Sequence, residues 1–296
     1  MGLWIVGQSI INGLLAGGVY SLVGVGMTII FGVMKMVNFA AGSYLVWGMY
    51  FTYFWQLILG GKVSPYLLIP LVVVSMIIFG YITFKLTIRR VLGSSDTSYI
   101  LITVGLMFFL TNLAETVFGT KPYAVYVPFE YKSGAFILGS LNFGHPRLAA
   151  FGVLLILVLG VHILLNYTLL GRTMRATAEN SEVAKMLGIN TERIFTIAFI
   201  MGVTLAALAG LLVTPLYLVS ISASFAFRTA PLMVIVLGGL GSIKGSFFGG
   251  LLAGIVESMV TTLVDPQLSV ASISILFLIV VYIRPQGLFG KIMRTA

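Results

Sequence analysis

Residues 148–219 decide the fold. They read LAAFGVLLILVLGVHILLNYTLL (148–170), GRTMRATAENSEVAKMLGINTERI (171–194) and FTIAFIMGVTLAALAGLLVTPLYLV (195–219). The outer two stretches are apolar, and each reaches the length of about 20 residues that a helix needs to cross a bilayer. The middle stretch carries the densest charge in the chain, with both signs. Because a polar segment between two spans must lie in water, we interpret 171–194 as a docking surface.

The whole chain has the composition of a membrane protein. Of its 296 residues, 59% are hydrophobic and 8% are charged, whereas soluble domains carry about 25% charged residues. The apolar windows lie at 8–32, 37–58, 65–88, 97–118, 148–170, 195–219, 229–243, 245–264 and 268–284. We therefore predict one all-α transmembrane domain over 1–296, a polytopic helical bundle of about eight or nine spans. The seventh and eighth windows are separated only by Gly-rich residues and form either two spans or one broken, re-entrant element.

Basic residues set the predicted orientation. The net charge is +9, and cytoplasmic loops of membrane proteins carry an excess of Lys and Arg. Alternating the spans from Arg89 on the inside places most of the 17 Lys and Arg residues inside. We therefore expect an outside N-terminus and a cytoplasmic C-terminus. The lipid bilayer explains the positive charge, and no nucleic-acid partner is expected.

Several chemistries have no candidate residues. The chain has no cysteine, which excludes thiolate and disulfide chemistry. His145 and His162 are far apart in sequence, and metal sites need several ligands together. Asp96 and Asp265 fall at span ends, so no aspartate pair forms within the membrane. A Gly-x-x-x-x-Gly-Lys-Ser/Thr loop is absent, so we expect no ATP or other cofactor on this chain, and we predict neither a catalytic nor a metal-binding residue.

The docking surface contains the signals of a helix of about two turns. Asn180 or Ser181 can cap its first amides, and Gly188 after Leu187 is a typical left-handed terminator. The spacing predicts a helix over 181–187.

This short helix has two distinct faces. Glu182 in the first turn and Lys185 in the last match the helix dipole. Val183, Met186 and Leu187 share another face at spacings of three and four residues. An apolar tip of this kind fits a groove in a partner protein, and it equally fits a helix lying on the lipid interface.

Polar side chains within the spans are candidates for a substrate pathway. Glu257 falls near the middle of the eighth span with Thr261 one turn away, and Glu115 lies in the fourth span after Asn112. Intramembrane acids are costly and normally face a water-filled route or a paired group. Either carboxyl is a candidate to line the passage of a zwitterionic substrate. The alternatives are a protonated or hydrogen-bonded interhelix contact for Glu257 and an outer-interface position for Glu115.

The longest outside loop, about 119–147, is rich in aromatic residues. Tyr123, Tyr126, Phe129 and Tyr131 lie in a stretch with partial period-two alternation, which predicts a short hairpin or cap. Two roles are open for it, an aromatic fringe at the lipid headgroups and a surface that docks a protein.

Small residues recur every four residues in three spans, a spacing that lets helix backbones approach closely. They are Gly13 and Gly17, then Gly202, Ala206 and Gly210, then Gly245, Gly249, Ala253, Gly250 and Gly254. They predict a compact bundle.

Four motifs along the chain resemble one known family. They are Gly13-Leu14 with Tyr20-Ser21-Leu22, Gly26 to Met34 and Val37-Asn38-Phe39-Ala40; Gly171-Arg172-x-x-Arg175-Ala176-x-Ala178-x-Asn180 with Ala184 and Gly188-Ile189-Asn190; Gly238-Gly239-Leu240-Gly241-Ser242 with Gly245; and Arg284-Pro285-Gln286-Gly287-Leu288-Phe289-Gly290. With these motifs the chain resembles the branched-chain amino acid permeases of ABC importers, of the LivH type. It departs from that family at Ala41, where a histidine commonly precedes the glycine.

The resemblance implies a permease subunit of the inner membrane, not an enzyme, that imports branched-chain or related small amino acids. It implies as partners a second related permease, two cytoplasmic ATPases that hold ATP and Mg²⁺, and an external substrate-binding protein. The residues that it implies for ATPase coupling are Arg172, Arg175, Glu179, Asn180, Glu182, Val183, Lys185, Met186, Leu187 and Gly188. Its motif positions add Asn38 and Gly42 to Asn112, Glu115 and Glu257 as pathway candidates.

Two other functions stay open. In a secondary active amino-acid transporter, we would expect charged residues at the midplane of two related halves. The same ABC permease type acting on urea or amides is the other alternative. Association with ATPase subunits distinguishes the first alternative, and the ligand of the binding protein distinguishes the second.

Overall fold

A computed structural model describes residues 3–128, 134–138 and 141–290. In that part of the chain there are eleven α-helices and two short strands. The helices are α1 (Leu3–Met34), α2 (Ala41–Ile58), α3 (Ile69–Leu86), α4 (Asp96–Phe118), α5 (His145–Tyr167), α6 (Leu169–Glu179), α7 (Ser181–Met186), α8 (Thr191–Val213), α9 (Ser222–Gly238), α10 (Ile243–Leu263) and α11 (Ser269–Ile283). The strands β1 (Ala135–Leu138) and β2 (Leu141–Gly144) pair in antiparallel fashion between α4 and α5.

The predicted polytopic helical bundle is confirmed. Among the described residues, seven helical segments are long and apolar enough to span a membrane: α1, α4, α5, α8 and α10, then α3 with its flanking 3-10 turns (Pro65–Val91) and α11 with the turn before it (Pro266–Ile283). The helices α2 and α9 have 18 and 17 residues. At 1.5 Å per residue they are about 25 to 27 Å long, close to the hydrocarbon thickness of about 30 Å.

The seventh and eighth apolar windows are two separate helices, α9 and α10. They run antiparallel, because Gly238 at the end of α9 lies against Gly245 while Val234, one turn earlier, lies against Gly249. The Gly-rich stretch between them is a tight turn of four residues. The chain therefore reverses direction here.

The helices α1 and α8 are the most enclosed of the candidate spans. A methyl group on Gly26 of α1 would meet the carbonyl oxygen of Gly202 at 2.5 Å, and the reverse holds for a methyl group on Gly202. Gly210 of α8 lies equally close to the backbone of Leu45 in α2. These small residues therefore allow close helix packing, as predicted.

The contact of α1 with α10 is the largest between any two helices of the described chain. Gly17 packs backbone to backbone with Gly250. One turn on, the Ser21 hydroxyl donates to a backbone carbonyl of α10 at 2.7 Å. The hydroxyl oxygens of Thr28 and Ser246 are 2.5 Å apart. The antiparallel pair is thus held by close backbone packing and by hydroxyl groups that satisfy one another, which suits an interior without water.

The bundle has two ends. At the hairpin end, which carries β1 and β2, the backbones of Tyr123 and Val219 exchange hydrogen bonds of 2.9 and 2.8 Å. The Gln56 side chain makes two more bonds to the backbone of Tyr126, at 2.7 and 2.9 Å. The opposite end, which we name the helical-loop end, carries α6, α7, the C-terminus of α3 and the N-terminus of α8. Loops that alternate along the chain therefore segregate to opposite ends.

The predicted short hairpin is present in the outer loop, residues 119–147. It is formed by β1 and β2, which lie later in the loop than the alternating stretch that begins at Tyr123. The backbone groups of Tyr123 and Tyr126 instead bond to Val219 and Gln56, and these partners replace strand pairing. Phe129 and Tyr131 lie outside the described residues.

Candidate functional site

The helix α7 is held by local capping. The side-chain oxygen of Asn180 accepts hydrogen bonds from the backbone amides of Glu182 and Val183, at 3.0 and 3.1 Å. At the other end Gly188 has φ of +83°, a conformation that glycine adopts without strain. The predicted helix, cap and terminator are therefore confirmed, with α7 ending at Met186.

One side of α7 is apolar and lies exposed on the surface of the chain. Met186 is 84% exposed, Leu187 77% and Val183 48%. Ala184 faces the other way and is buried at 2%. We name Val183, Met186 and Leu187 the apolar tip. Exposure of three neighbouring apolar side chains in water is unfavourable, so the apolar tip has a surface to bury.

The helix α6 anchors the docking surface to the end of α5. Two of its own residues, Met174 and Thr177, are buried. The Arg175 guanidinium donates to the backbone carbonyl of Leu165, in the last turn of α5, where a positive charge also interacts favourably with the helix dipole. Gly171 lies against the same carbonyl, which leaves no room for a side chain. Arg175 therefore fixes the angle between α5 and α6.

All ten residues predicted for ATPase coupling are exposed. They are Arg172, Arg175, Glu179, Asn180, Glu182, Val183, Lys185, Met186, Leu187 and Gly188. The structure thus places all of them at exposed positions of one continuous segment.

An ion pair that the sequence analysis missed joins the docking surface to α3. Arg89 Nε and Glu192 Oε1 are 2.6 Å apart, and both side chains are half exposed. Arg89 follows α3, and Glu192 lies in the first turn of α8, near the end of the docking surface. The basic pair at the end of the third span and the acid at 192 were visible in the sequence. Nothing in their spacing indicates that they meet.

The links on either side of α7 are short. One residue, Asn180, separates α6 from α7, and four residues separate α7 from α8. The last of these, Asn190, caps α8 by accepting a hydrogen bond from the Arg193 amide at 3.0 Å. These short links leave α7 little freedom to move independently of α6, which is anchored to α5, and of α8.

The structure does not bring the pathway candidates together. Asn38 and Gly42 are buried near the helical-loop end, and the Asn38 amide nitrogen has no hydrogen-bond partner. Asn112 and Glu115 lie on α4 toward the hairpin end and are exposed. The role of Glu115 stays a prediction.

Glu257 lies on another helix. It is half-buried in α10, the helix that packs most extensively on α1. Thr261, one turn away, donates to the backbone carbonyl of Glu257 at 2.7 Å. Across the described ranges, no group of three or more His, Asp or Glu side chains is placed to hold a metal ion.

The chain is similar to transport permeases over almost its whole length. The high-affinity branched-chain amino acid transport permease LivH of Escherichia coli (strain K12) is 29% identical over 296 residues, covering 96% of this chain and 95% of that protein. The corresponding permease BraD of Pseudomonas aeruginosa is 28% identical over 294 residues, with the same coverage. The fructose import permease FrcC of Rhizobium meliloti is 30% identical over 139 residues, 44% of this chain and 39% of FrcC.

A family model gives the same result. No solved structure matches the chain significantly, so the assignment to a family rests on sequence similarity. The model described as "Branched-chain amino acid transport system / permease component" matches residues 9–282. Because this match covers nearly the entire chain, the protein belongs to the family of permease components of branched-chain amino acid transport systems.

Proposed function

We propose that this chain moves amino acids with branched or related small side chains across the inner membrane, after an external binding protein has delivered them. As a family member it is the permease subunit of an ABC importer, a multi-pass membrane protein and not an enzyme. The names of LivH and BraD, which align over nearly the full chain, support the substrate class. FrcC, with a different substrate, aligns over less than half of it. The secondary-transporter alternative is not retained.

We place the helical-loop end in the cytoplasm. That end carries Arg89 and Arg90 after α3 and the basic residues of α6 and α7, and basic loops are retained on the cytoplasmic side. The hairpin end and the N-terminus then face outside, and the C-terminus is cytoplasmic. The outer loop, residues 119–147, lies on the side from which a binding protein delivers substrate.

The proposed partners divide the work. A second related permease completes the transmembrane pathway, and two cytoplasmic ATPases hold ATP and Mg²⁺. This chain supplies the docking surface, residues 171–194, to one ATPase. It needs no cofactor of its own in this arrangement.

The apolar tip is the observation that carries the coupling proposal. Burying apolar side chains in a groove yields roughly 25 cal/mol per Å², and short helices dock into grooves through such anchors. The lipid alternative fits less well. An interfacial membrane helix uses a long apolar face, whereas α7 has six residues and the apolar tip has only three apolar side chains.

The short links of α7 explain how docking produces movement. Closure of the ATPases displaces α7, and α6 and Asn190 transmit that displacement to α5 and α8. The enclosed helix α8 packs on α1, α2 and α3. Its displacement therefore shifts the centre of the bundle as a rigid body.

The test uses the assembled importer, reconstituted with its binding protein in vesicles. We expect uphill amino-acid uptake that requires ATP and both ATPase subunits. Met186→Ser and Leu187→Ser should weaken ATPase co-purification, because they remove apolar area from the tip. Ser181→Ala, on the same helix and outside the tip, serves as the control. Two results would contradict the proposal. One is uphill uptake by this chain alone, and the other is full ATPase association of a variant that carries both Met186→Ser and Leu187→Ser.

A further inference from the structure

The helix α3 has one buried face and one exposed face. On the buried face Phe84 is 1% exposed, and a methyl group on Gly80 would meet the Val203 side chain of α8 at 2.9 Å. On the exposed face four aliphatic side chains recur every four residues, each about half exposed. We name them the aliphatic ridge: Val74, Ile78, Ile82 and Leu86. Because α3 belongs to a candidate span, this ridge meets either lipid or another membrane helix.

The side chains of the aliphatic ridge favour lipid. Membrane helices that pack on one another carry small residues at the contact, so that their backbones approach closely. On the buried face of α3, Gly80 allows this approach to α8. The aliphatic ridge contains only branched side chains, which keep a second backbone at a distance. We therefore expect hydrocarbon chains beside it.

A tyrosine and a lysine lie where this face leaves the hydrocarbon. The span that contains α3 runs from Pro65 to Val91, and Lys85 lies 20 residues after Pro65. At 1.5 Å per residue that distance is about 30 Å, the thickness of the hydrocarbon core. Tyr81 lies one turn before Lys85, and tyrosine is enriched at the level of the lipid headgroups. Both residues are exposed, so they meet the headgroup region at the helical-loop end.

Contacts within the chain position two cations at this level. The Lys85 ammonium nitrogen lies 5.8 Å from the centre of the Tyr81 ring, an attractive contact between a cation and an aromatic face. Arg89 follows in the 3-10 turn that continues α3, and its Nε lies 2.6 Å from Glu192 Oε1. That contact uses one of the five N–H groups of the guanidinium. Within the described ranges the other four have no partner, and Lys85 has no acidic partner.

This arrangement has the charge and shape that an anionic phospholipid needs. A guanidinium binds phosphate oxygens through two parallel hydrogen bonds, and an ammonium group adds a point charge. From Leu86 back to Val74 the aliphatic ridge is about 18 Å long, close to half the hydrocarbon thickness, roughly 15 Å. One lipid can therefore place its phosphate at the cations and its acyl chains along the ridge.

We propose that Tyr81, Lys85 and Arg89 bind the headgroup of an anionic phospholipid whose acyl chains lie along the aliphatic ridge. The Arg89 guanidinium then contacts the lipid phosphate and the Glu192 carboxylate at the same time, so the lipid holds Arg89 toward the start of α8. This site goes beyond the proposed function, because it lies apart from the apolar tip and does not depend on the solute that is transported.

The first experiment measures lipid binding to the full chain, purified in detergent with its partner subunits. Native mass spectrometry follows the binding of phosphatidylglycerol, which is anionic, and of phosphatidylcholine with the same acyl chains, which has no net charge. Phosphatidylglycerol should bind about tenfold or more tightly than phosphatidylcholine, as expected for hydrogen bonds between charged groups. Lys85→Gln should remove most of this preference. Arg90→Gln removes one charge from an exposed neighbour outside the site and should keep the preference.

The second experiment identifies what lies beside the aliphatic ridge. The photoreactive residue benzoylphenylalanine replaces Ile78, and the complex is reconstituted in vesicles that contain phosphatidylglycerol. Mass spectrometry then identifies the adduct that forms on illumination. We expect phospholipid adducts, and Lys85→Gln in the same chain should lower the share that contains phosphatidylglycerol.

Three results would overturn the lipid site. The first is equal affinity for the two lipids, and the second is an equal loss of preference in Lys85→Gln and Arg90→Gln, because the attraction would then come from net charge alone. The third is an Ile78 adduct with the second permease in place of lipid, which would make this face a helix contact. Because neither experiment measures transport, these results would leave the proposed function standing. A complex that binds the lipid as expected but transports no amino acid would contradict only the proposed function.

Discussion

Gly287 packs backbone to backbone against Gly239. A methyl group on Gly287 would meet the Gly239 Cα at 2.5 Å, and the next two residues, Leu288 and Phe289, donate backbone hydrogen bonds to α9 carbonyls at 2.8 and 3.0 Å. The C-terminal motif therefore closes over the α9–α10 turn. Two motifs that are separated by about 40 residues in sequence form one structural unit, which explains why both need glycine.

Gly239→Ala should destabilise this unit strongly. Gly239 has φ of +99° and its new methyl group would meet the Gly290 amide nitrogen at 2.6 Å. Gly93→Ala is the matched control, because its φ is +82° and the space around it is open. The control should lose only about 1–3 kcal/mol, the cost of a side chain in this backbone conformation. Thermal unfolding in detergent should show a clearly larger loss for Gly239→Ala, and equal losses would contradict the packing.

Gly250→Ala should separate α1 from α10. Its methyl group would meet the Ser21 backbone nitrogen at 2.5 Å, and overpacking of this kind typically costs about 1–3 kcal/mol. Gly160→Ala is the control, since nothing lies within 4 Å of the added methyl group and alanine is the better helix former. The melting temperature should fall for the first variant and hold or rise for the second. A fall in both would argue against the α1–α10 contact as the cause.

Asn180→Ala should loosen α7 without unfolding the bundle. It removes the acceptor for the Glu182 and Val183 amides, and loss of such a cap costs about 0.5–2 kcal/mol. Hydrogen exchange at these two amides should accelerate, and ATPase co-purification should fall in parallel. Asn180→Asp keeps an acceptor oxygen at the helix start and should retain both properties. Equal exchange in all three proteins would exclude the cap as the element that orders the apolar tip.

The sequence predicted the elements whose causes are local. Apolar length gives the spans, and Asn180 and Gly188 bound α7 because capping depends on residues within one turn. Small-residue spacing also predicted where backbones approach closely, although not which helices meet. The sequence also did not decide whether α9 and α10 are two spans or one re-entrant element. That choice depends on the contact between Gly238 and Gly245, which the spacing of small residues does not reveal.

Features that depend on distant residues were missed or misplaced. Nothing in the sequence places Arg89 beside Glu192, since 102 intervening residues, from 90 to 191, form two further spans and the docking surface. Period-two alternation near Tyr126 suggested a strand, but Gln56 satisfies its backbone instead.

The Arg89–Glu192 pair should affect coupling more than stability. Both side chains are half exposed, and exposed pairs contribute at most about 1 kcal/mol, so Arg89→Glu should leave the melting temperature nearly unchanged. It places two like charges where α8 begins, however, and the displacement of α7 would no longer reach α3. ATP-driven uptake should fall while ATPase association persists. Arg90→Glu makes the same charge change at an exposed neighbour without this partner and should retain uptake. The reciprocal variant, Arg89→Glu with Glu192→Arg, restores the attraction and should recover transport; if it transports no better than Arg89→Glu alone, the pair does not link α8 to α3 during the cycle.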